Sequence, residues 1–380
     1  MKHPHYLSPH RAFPRLASAI RPLALAGVVL LAPSCATSGA TGEGDRNLPT
    51  VGVGPFRKLT IDEVTGIAPF VFDDRIAIYR EPAVLAEGTS TILYVVAKQN
   101  GADVILRTRA DDGRAFYGSS TDFGKVAPLV LAADQPWEGP SLSGPFAVRV
   151  GDELSLYYAA AGGIGVAKSS DGLTFRKEAR PVLVRDATSA WETTAVHAPT
   201  VYALPDGRLR MLYASGSSIG EAESTDGVHF TRVDPDPSTT AIEPVLGPAN
   251  PAAPGSLLPN EKPPFDTARV DDPCATLRVT PAGRLHVRVL YTGVDAAGAT
   301  SIGFAGRFGE NGSLERQAAP VYSVSAKESA PALLEIGDAS FLYVQQDRRV
   351  DARLTYTAIA AAFAPGTTRL PTPLPFPDRP

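Results

Sequence analysis

Apolar residues along this chain fall in short runs and not at helical spacing. Five of the runs centre on a tyrosine: TILYVVA around Tyr94, LSLYYAA around Tyr158, LRMLYAS around Tyr213, HVRVLYTG around Tyr291 and SFLYVQQ around Tyr343. Each is rich in β-branched and aromatic residues and bounded by turn residues, which predicts strands. A proline precedes each run, namely Pro82, Pro145, Pro199, Pro273 and Pro331, 12 to 18 residues before its tyrosine. A second short apolar strand, such as FAVRV or PTVYAL, lies between proline and tyrosine, and a polar turn such as Gly151-Asp152 or Asp206-Gly207 joins the two. No segment sustains helical periodicity, so the chain reads as all-β.

The stretch after the tyrosine repeats more strictly. Tyr158, Ile164, Ser169, Asp171, Gly172 and Phe175 return 55 positions later as Tyr213, Ile219, Ser224, Asp226, Gly227 and Phe230. A fixed period of this kind marks a repeated supersecondary unit. A third strand, IGVAKS or IGEAES, is followed by Asp-Gly, a hairpin signal, and then by a fourth strand opening with Phe. Asp112-Gly113 and Phe116 supply the same elements in the first unit. Asp171 and Asp226 are therefore turn residues without catalytic duty. Five four-stranded antiparallel meanders in series predict a five-bladed β-propeller over residues 56–363, closed radially so that only short edges remain. Two proline-rich stretches fall outside the pattern: an excursion over 232–268 and a tail over 364–380.

The first 34 residues do not read as fold. Lys2, Arg11, Arg15 and Arg21 make a basic start without an acid, and LALAGVVLLA, Leu23 to Ala32, is an apolar run too short to span a bilayer comfortably. The following Ala32-Pro33-Ser34-Cys35 resembles the lipobox of bacterial lipoproteins. That resemblance implies lipidation of Cys35, membrane attachment, and a cell-envelope location at the outer membrane or cell surface; an ordinary secretory peptide cut nearby is the alternative. The small polar stretch over 35–55 reads as a flexible tether. Cys274 is then left without a partner, a buried small hydrophobe.

Without those four basic residues, 32 bases face 40 acids, a net charge of −8. That balance argues against nucleic acid, which calls for a basic face. Of the six histidines only His197, His229 and His286 follow Cys35, with no paired spacing for a histidine-rich zinc site.

A second repeated feature enters three units in one register. Trp137-Glu138, Trp191-Glu192 and Phe265-Asp266 each lie eight residues before the unit's proline. Because the pair recurs, its first reading is structural, with the aromatic packed between blades and the carboxylate accepting backbone hydrogen bonds. In the other reading the aromatics, Trp137 and Trp191, ring the funnel and stack on sugar rings.

The combination of W-[DE] before an x-P strand, an L-Y-Y or M-L-Y strand, and I-G-x-A-x-S-x-D-G-x-x-F resembles the five-bladed propellers of the arabinanase and β-fructosidase superfamily. That superfamily takes in glycoside hydrolase families 43 and 32 and the related mannoside phosphorylases. The likeness runs from about Pro69 to Phe363. It implies carboxylates on the innermost strands around a central funnel, one protonated to help the leaving oxygen and one ionised to activate water or attack. A third acid nearby would raise the donor's pKa.

Repetition marks structure, so function is sought where the repeats differ. Directly before the prolines stand Glu81, Gly144, Ala198, Asp272 and Ala330, two acids among three small residues. Arg80-Glu81-Pro82 and Asp271-Asp272-Pro273 are similar to the family's acid-proline signature. The third unit departs from it: His197-Ala198-Pro199 stands where the family commonly carries E-x-P. The expected catalytic residues are Glu81 and Asp272, with His197 or Glu192 as proton donor, and the expected substrate contacts are Arg80, Trp137, Trp191 and Asp271. Plainer readings stand beside these: Glu81 paired with Arg80, Asp271-Asp272 as a solvated turn or a cation site, and His197 as a hydrogen-bonded interior histidine. Calcium on the axis is possible, and no cofactor is otherwise required. A sialidase-like propeller is disfavoured, because S-S-D-G-L-T-F lacks the S-x-D-x-G-x-T-W spacing and no axial arginine cluster is evident. The expectation is an exported, lipid-anchored glycoside hydrolase-like protein acting on an oligo- or polysaccharide in its funnel, or a non-catalytic glycan-binding propeller.

Overall fold

The computed structural model describes residues 54, 56–59, 79–110, 113, 116, 128–250, 263–280, 282–336, 339–349 and 355–364. The expected targeting segment, Cys35 and the tail beyond Ala364 lie outside these residues.

Five antiparallel four-stranded sheets form a five-bladed β-propeller. From the innermost strand outward, blade I is Tyr79–Glu87, Ser90–Gln99, Ala102–Ala110 and Leu129–Leu131. Blade II is Ser143–Val150, Glu153–Ala160, Gly163–Ser169 and Arg176–Lys177. Blade III is His197–Ala203, Leu209–Ser215, Ser218–Ser224 and Thr231–Arg232. Blade IV is Arg269–Val279, Leu285–Val294, Thr300–Phe308 and Glu315–Arg316. Blade V departs from a simple series. Its inner strands are Glu328–Ile336, Ala339–Arg349 and Thr355–Ala364, but its outermost strand is Arg57–Lys58 from the other end of the chain, paired with Phe363 and Ala362. Two residues carry too little pattern to announce that closure in the sequence.

The tyrosine runs are the second strands, sandwiched between neighbouring blades. Both faces are covered, which is why they read as continuous apolar runs and not as alternations. Five apolar clusters fill the five seams; the one between blades V and I gathers Leu93, Val95, Phe341, Tyr343 and Ile359. The tyrosines divide into two kinds. Tyr343, Tyr94 and Tyr157 donate to the carbonyls of Gly113, Gly172 and Gly227 in the next blade's Asp-Gly turn. In each of the last two seams an ion pair on a buried arginine replaces that bond: Arg307–Glu221 at 2.6 Å between blades III and IV, and Arg288–Glu335 at 2.9 Å between IV and V, where Glu335 is half-buried.

The repeated S-x-D-G segment is this seam turn. Asp171 Oδ1 accepts the N–H groups of Leu173 and Thr174 at 2.8 Å, and Ser169 Oγ accepts that of Gly172. The bond from Thr174, with that from Leu173, holds the Asp171 carboxyl down at about 2. Asp226 repeats the arrangement with Val228 and His229.

Candidate functional site

Every innermost strand carries the same defect. Its pairing with the second strand breaks register across the proline, between Arg80 and Ala83, Ser143 and Phe146, His197 and Thr200, Asp271 and Cys274, and Ser329 and Ala332. These are β-bulges, which re-aim a side chain at the cost of local pairing. The residue before the proline takes left-handed φ in all five: Glu81 at 50°, Gly144 at 52°, Ala198 at 46°, Asp272 at 46° and Ala330 at 48°. That conformation costs a residue with a Cβ about 1–2 kcal/mol. Four of the five positions bear that strain, and it turns all five residues onto one axial cavity of about 160 Å³, walled elsewhere by proline rings and by Ala83, Cys274 and Ala332. Cys274 is a free, buried thiol in that wall, and burial pushes it up to about 11.

The structure thus brings Glu81 and Asp272 to one funnel, each tied to the next blade. Glu81 Oε2 accepts the Gly144 N–H of blade II at 2.6 Å, and Asp272 Oδ2 accepts the Ala330 N–H of blade V at 3.3 Å. Asp272 Oδ2 also accepts the Thr292 hydroxyl at 2.9 Å, while its Oδ1 has no hydrogen bond to a described residue. Arg80 leans toward Glu81 at 4.0 Å but makes its close pair with Asp103 at 2.8 Å.

His197 and Asp271 join the same group. The histidine Nε2 sits 3.0 Å from Asp271 Oδ1 and its Nδ1 3.0 Å from the Ala195 carbonyl, so both ring nitrogens are engaged. Burial, the strongest influence, works against a charge on His197, but the hydrogen bond and charge of Asp271 outweigh it and push the imidazole up to about 9. Asp271 is held below the usual carboxylate range: burial pushes it up, and His197 and Arg269 pull it down further. Asp272 is pushed up to about 7, first by burial and then by the charges of Asp271 and Glu81. Burial raises Glu81 too, against the Gly144 N–H and Arg80. The group therefore holds one imidazolium–carboxylate pair and two carboxyls that resist ionisation, a pattern found at acid–base sites. Among the described residues no group of three or more His, Cys, Asp and Glu is disposed to hold a metal ion.

Glu192 is not brought to this group. It is fully buried, accepting from Tyr213 at 2.9 Å, from the Arg232 guanidinium at 2.6 and 2.7 Å, and from the Asp186 N–H at 2.7 Å. Its partner Trp191 lies flat on Tyr213, centroids 5.9 Å apart, with its indole N–H on the Ile242 carbonyl. The same clasp recurs as Trp137 on Tyr158 with Glu138 and Lys177, and as Phe265 on Tyr291 with Asp266 and Arg316. In each, the entry loop's acid joins the second strand's tyrosine to a cation on the outermost strand. The aromatic–acid pair is a within-blade fastening, and Trp137 and Trp191 are spent on it.

Two polar residues of the site escape the sequence reading. Opposite the residue two before each proline, the second strand presents Val96, Ala159, Ala214, Thr292 and Gln345. Only Thr292 and Gln345 are polar, and each serves one acid: Thr292 donates to Asp272, and Gln345 Oε1 accepts the Glu81 N–H at 3.3 Å. Differences between repeats would have exposed both, had the register been known.

No family model matches the chain, and no curated protein matches it either. Solved structures do. A β-1,2-mannobiose phosphorylase from Listeria innocua, in complex with β-1,2-mannobiose, superposes with a TM-score of 0.58 at 11% identity, over 81% of this chain and 96% of the other. A thermostable family-43 glycoside hydrolase gives 0.53 at 13% identity, over 82% and 98%. This chain has the fold of the five-bladed glycoside hydrolase propellers. An α-L-arabinofuranosidase from Podospora anserina, in complex with cellotriose, is a further propeller of this kind, with a TM-score of 0.53 at 8% identity over 82% and 98%. No helix among the described residues is long and apolar enough to cross a membrane.

Proposed function

We propose that this propeller is an exported, lipid-anchored glycoside hydrolase-like protein that acts on carbohydrate in its funnel, with Asp272 as proton donor and Glu81 as its ionised partner. The observation that carries this reading is the Asp272 carboxyl, half-buried in the wall of the axial cavity and raised to about 7, with Oδ1 making no hydrogen bond to a described residue. A donor must be protonated near the working pH and reach the leaving oxygen. Burial raises Glu81 as well, and the Gly144 N–H and Arg80 oppose that rise; as the carboxyl with a cation beside it, Glu81 is assigned the ionised role, to activate water or attack the anomeric carbon. His197 is the weaker donor: it is a cation with both nitrogens in use, and its charge serves to steady Asp271. Arg80 and Asp271 border the two acids as sugar contacts.

The second reading, a glycan-binding propeller without turnover, is favoured by one observation. The slot where the family carries a glutamate is closed by the His197–Asp271 pair. Incubation with a panel of plant, fungal and bacterial polysaccharides separates the two. Sugar release lost in Glu81→Gln and Asp272→Asn supports hydrolysis; retention on one polysaccharide without release supports binding. Near-wild-type release in both variants removes the proposed roles.

A further inference from the structure

Thr292 sits where three donors and acceptors compete, and their chemistry leaves it one arrangement. The Ala330 N–H points at Thr292 Oγ1 at 2.9 Å, so that oxygen is an acceptor toward blade V. Its own hydrogen cannot point back at an N–H, and the acceptor within reach is Asp272 Oδ2 at 2.9 Å. Oδ2 also receives the longer Ala330 N–H at 3.3 Å. A carboxyl proton on Oδ2 would meet the Thr292 hydroxyl head-on and strip that hydroxyl of its acceptor. A proton on Oδ1 leaves every one of these bonds intact. Thr292 is only 1% exposed, so water does not offer a substitute.

We propose that Thr292 is a positioning residue that confines the proton of Asp272 to Oδ1, the oxygen that makes no hydrogen bond to a described residue. The inference rests on Asp272 being the proton donor, and it deepens that reading by naming which oxygen delivers the proton and what enforces the choice. The other blades show the device is specific: the equivalent second-strand residues of blades I, II and III are Val96, Ala159 and Ala214, beside Glu81, Gly144 and Ala198. Glu81 is handled differently, with Gln345 taking its backbone N–H and leaving its carboxyl to Gly144. The charged groups bearing on Asp272 are Asp271 and His197, which form a pair, together with Glu81; Arg269 and Arg80 hold Asp271 and Asp103. Blade V turns the uncharged Ala330 toward it.

The test uses Thr292→Val, which keeps shape and removes the hydroxyl, and Thr292→Ser, which keeps the hydroxyl. The first readout is the infrared band of the protonated Asp272 carboxyl, identified by its absence in Asp272→Asn and followed against pH in the whole protein. Because the Thr292 bond favours the ionised form, Thr292→Val should move the titration midpoint upward by at least half a pH unit and broaden the band, as the proton gains a choice of oxygen. Thr292→Ser should restore both. The second readout is the pH profile of sugar release, whose alkaline limb should move with the band while kcat falls about tenfold in Thr292→Val. A band and midpoint unchanged in a folded Thr292→Val overturn the proposal, as does a Thr292→Ser variant that behaves like Val. If the band moves as expected and the unaltered protein releases no sugar, the proton placement stands and the hydrolytic reading falls.

Discussion

Lys177→Met tests whether the aromatic–acid clasp is a stability element. The lysine, 6% exposed, puts Nζ 2.8 Å from both oxygens of Glu138, which is 0% exposed. Burial on its own would raise the Glu138 carboxyl; the bonds from Lys177, Tyr158 and two backbone N–H groups bring it below its ordinary 4.5. Methionine preserves the buried stem and removes the charge. Breaking a buried pair costs about 3–5 kcal/mol, but the folded protein has an escape, which is to protonate Glu138. At pH 7 that escape costs 1.36 kcal/mol for each of the 2.5 units above 4.5, so the electrostatic loss is capped at about 3.4 kcal/mol. At pH 5 the same product is about 0.7 kcal/mol. The Ala132 carbonyl also loses its lysine, a pH-independent remainder of about 1 kcal/mol. The expected destabilisation is therefore about 4 kcal/mol at pH 7 and about 2 at pH 5. Urea denaturation at the two pH values measures it, with the fluorescence of Trp137, stacked 6.1 Å from Tyr158, reporting from the clasp. A loss under 1 kcal/mol at pH 7, or equal losses at both, would refute the reasoning.

Three further outcomes follow from the site. Sugar release should decline as pH rises through about 7, because the donor form of Asp272 is the protonated one; a rate that climbs steadily from pH 6 to 9 contradicts the assignment. His197→Gln should destabilise by about 1 kcal/mol, the full shift being discounted because the side chain is 34% exposed. His197 has a folded-state value of about 9, above its ordinary 6.5. Its contribution is complete below pH 6.5 and disappears as pH rises through about 9, so the two proteins should converge at pH 10 in the same denaturation assay. Gly144→Ala would add a Cβ 3.0 Å from Ala198 Cα and 3.1 Å from its N at positive φ, and about 2 kcal/mol of stability should be lost by thermal denaturation.

The blades could be read from the sequence because the second strands are covered on both faces and the S-x-D-G turn recurs at a fixed period. The two acids could be read because Glu81 and Asp272 interrupt a slot otherwise held by small residues. What stayed hidden depends on register. The bulge shifts pairing by the same step in every blade, but the tyrosines do not hold equivalent places on their strands, so the position facing the residue two before the proline falls one residue after Tyr291 but two after Tyr343. Without that offset Thr292 and Gln345 do not line up, and nothing distinguishes them from ordinary strand residues. Glu192 misled for the opposite reason: a carboxylate at a blade entrance looks equally suited to a funnel or a clasp until Arg232, 40 residues on, is seen beside it.

The strand Arg57–Lys58 makes this ring a loop with a clip. It meets Phe363 and Ala362 through two residue pairs, supplemented by the Leu59 N–H on the Ala361 carbonyl and by Lys58 Nζ on Gln346 at 3.1 Å. Gln346 in turn holds Glu328, the acid at the start of blade V. Tension applied to the chain ahead of Arg57 would load the packing of Phe56 between blades IV and V and then this short seam, unzipping it pair by pair. The mechanical threshold of the whole propeller is then set by a few residues at its rim, and lengthening the clip would raise that threshold without touching the funnel.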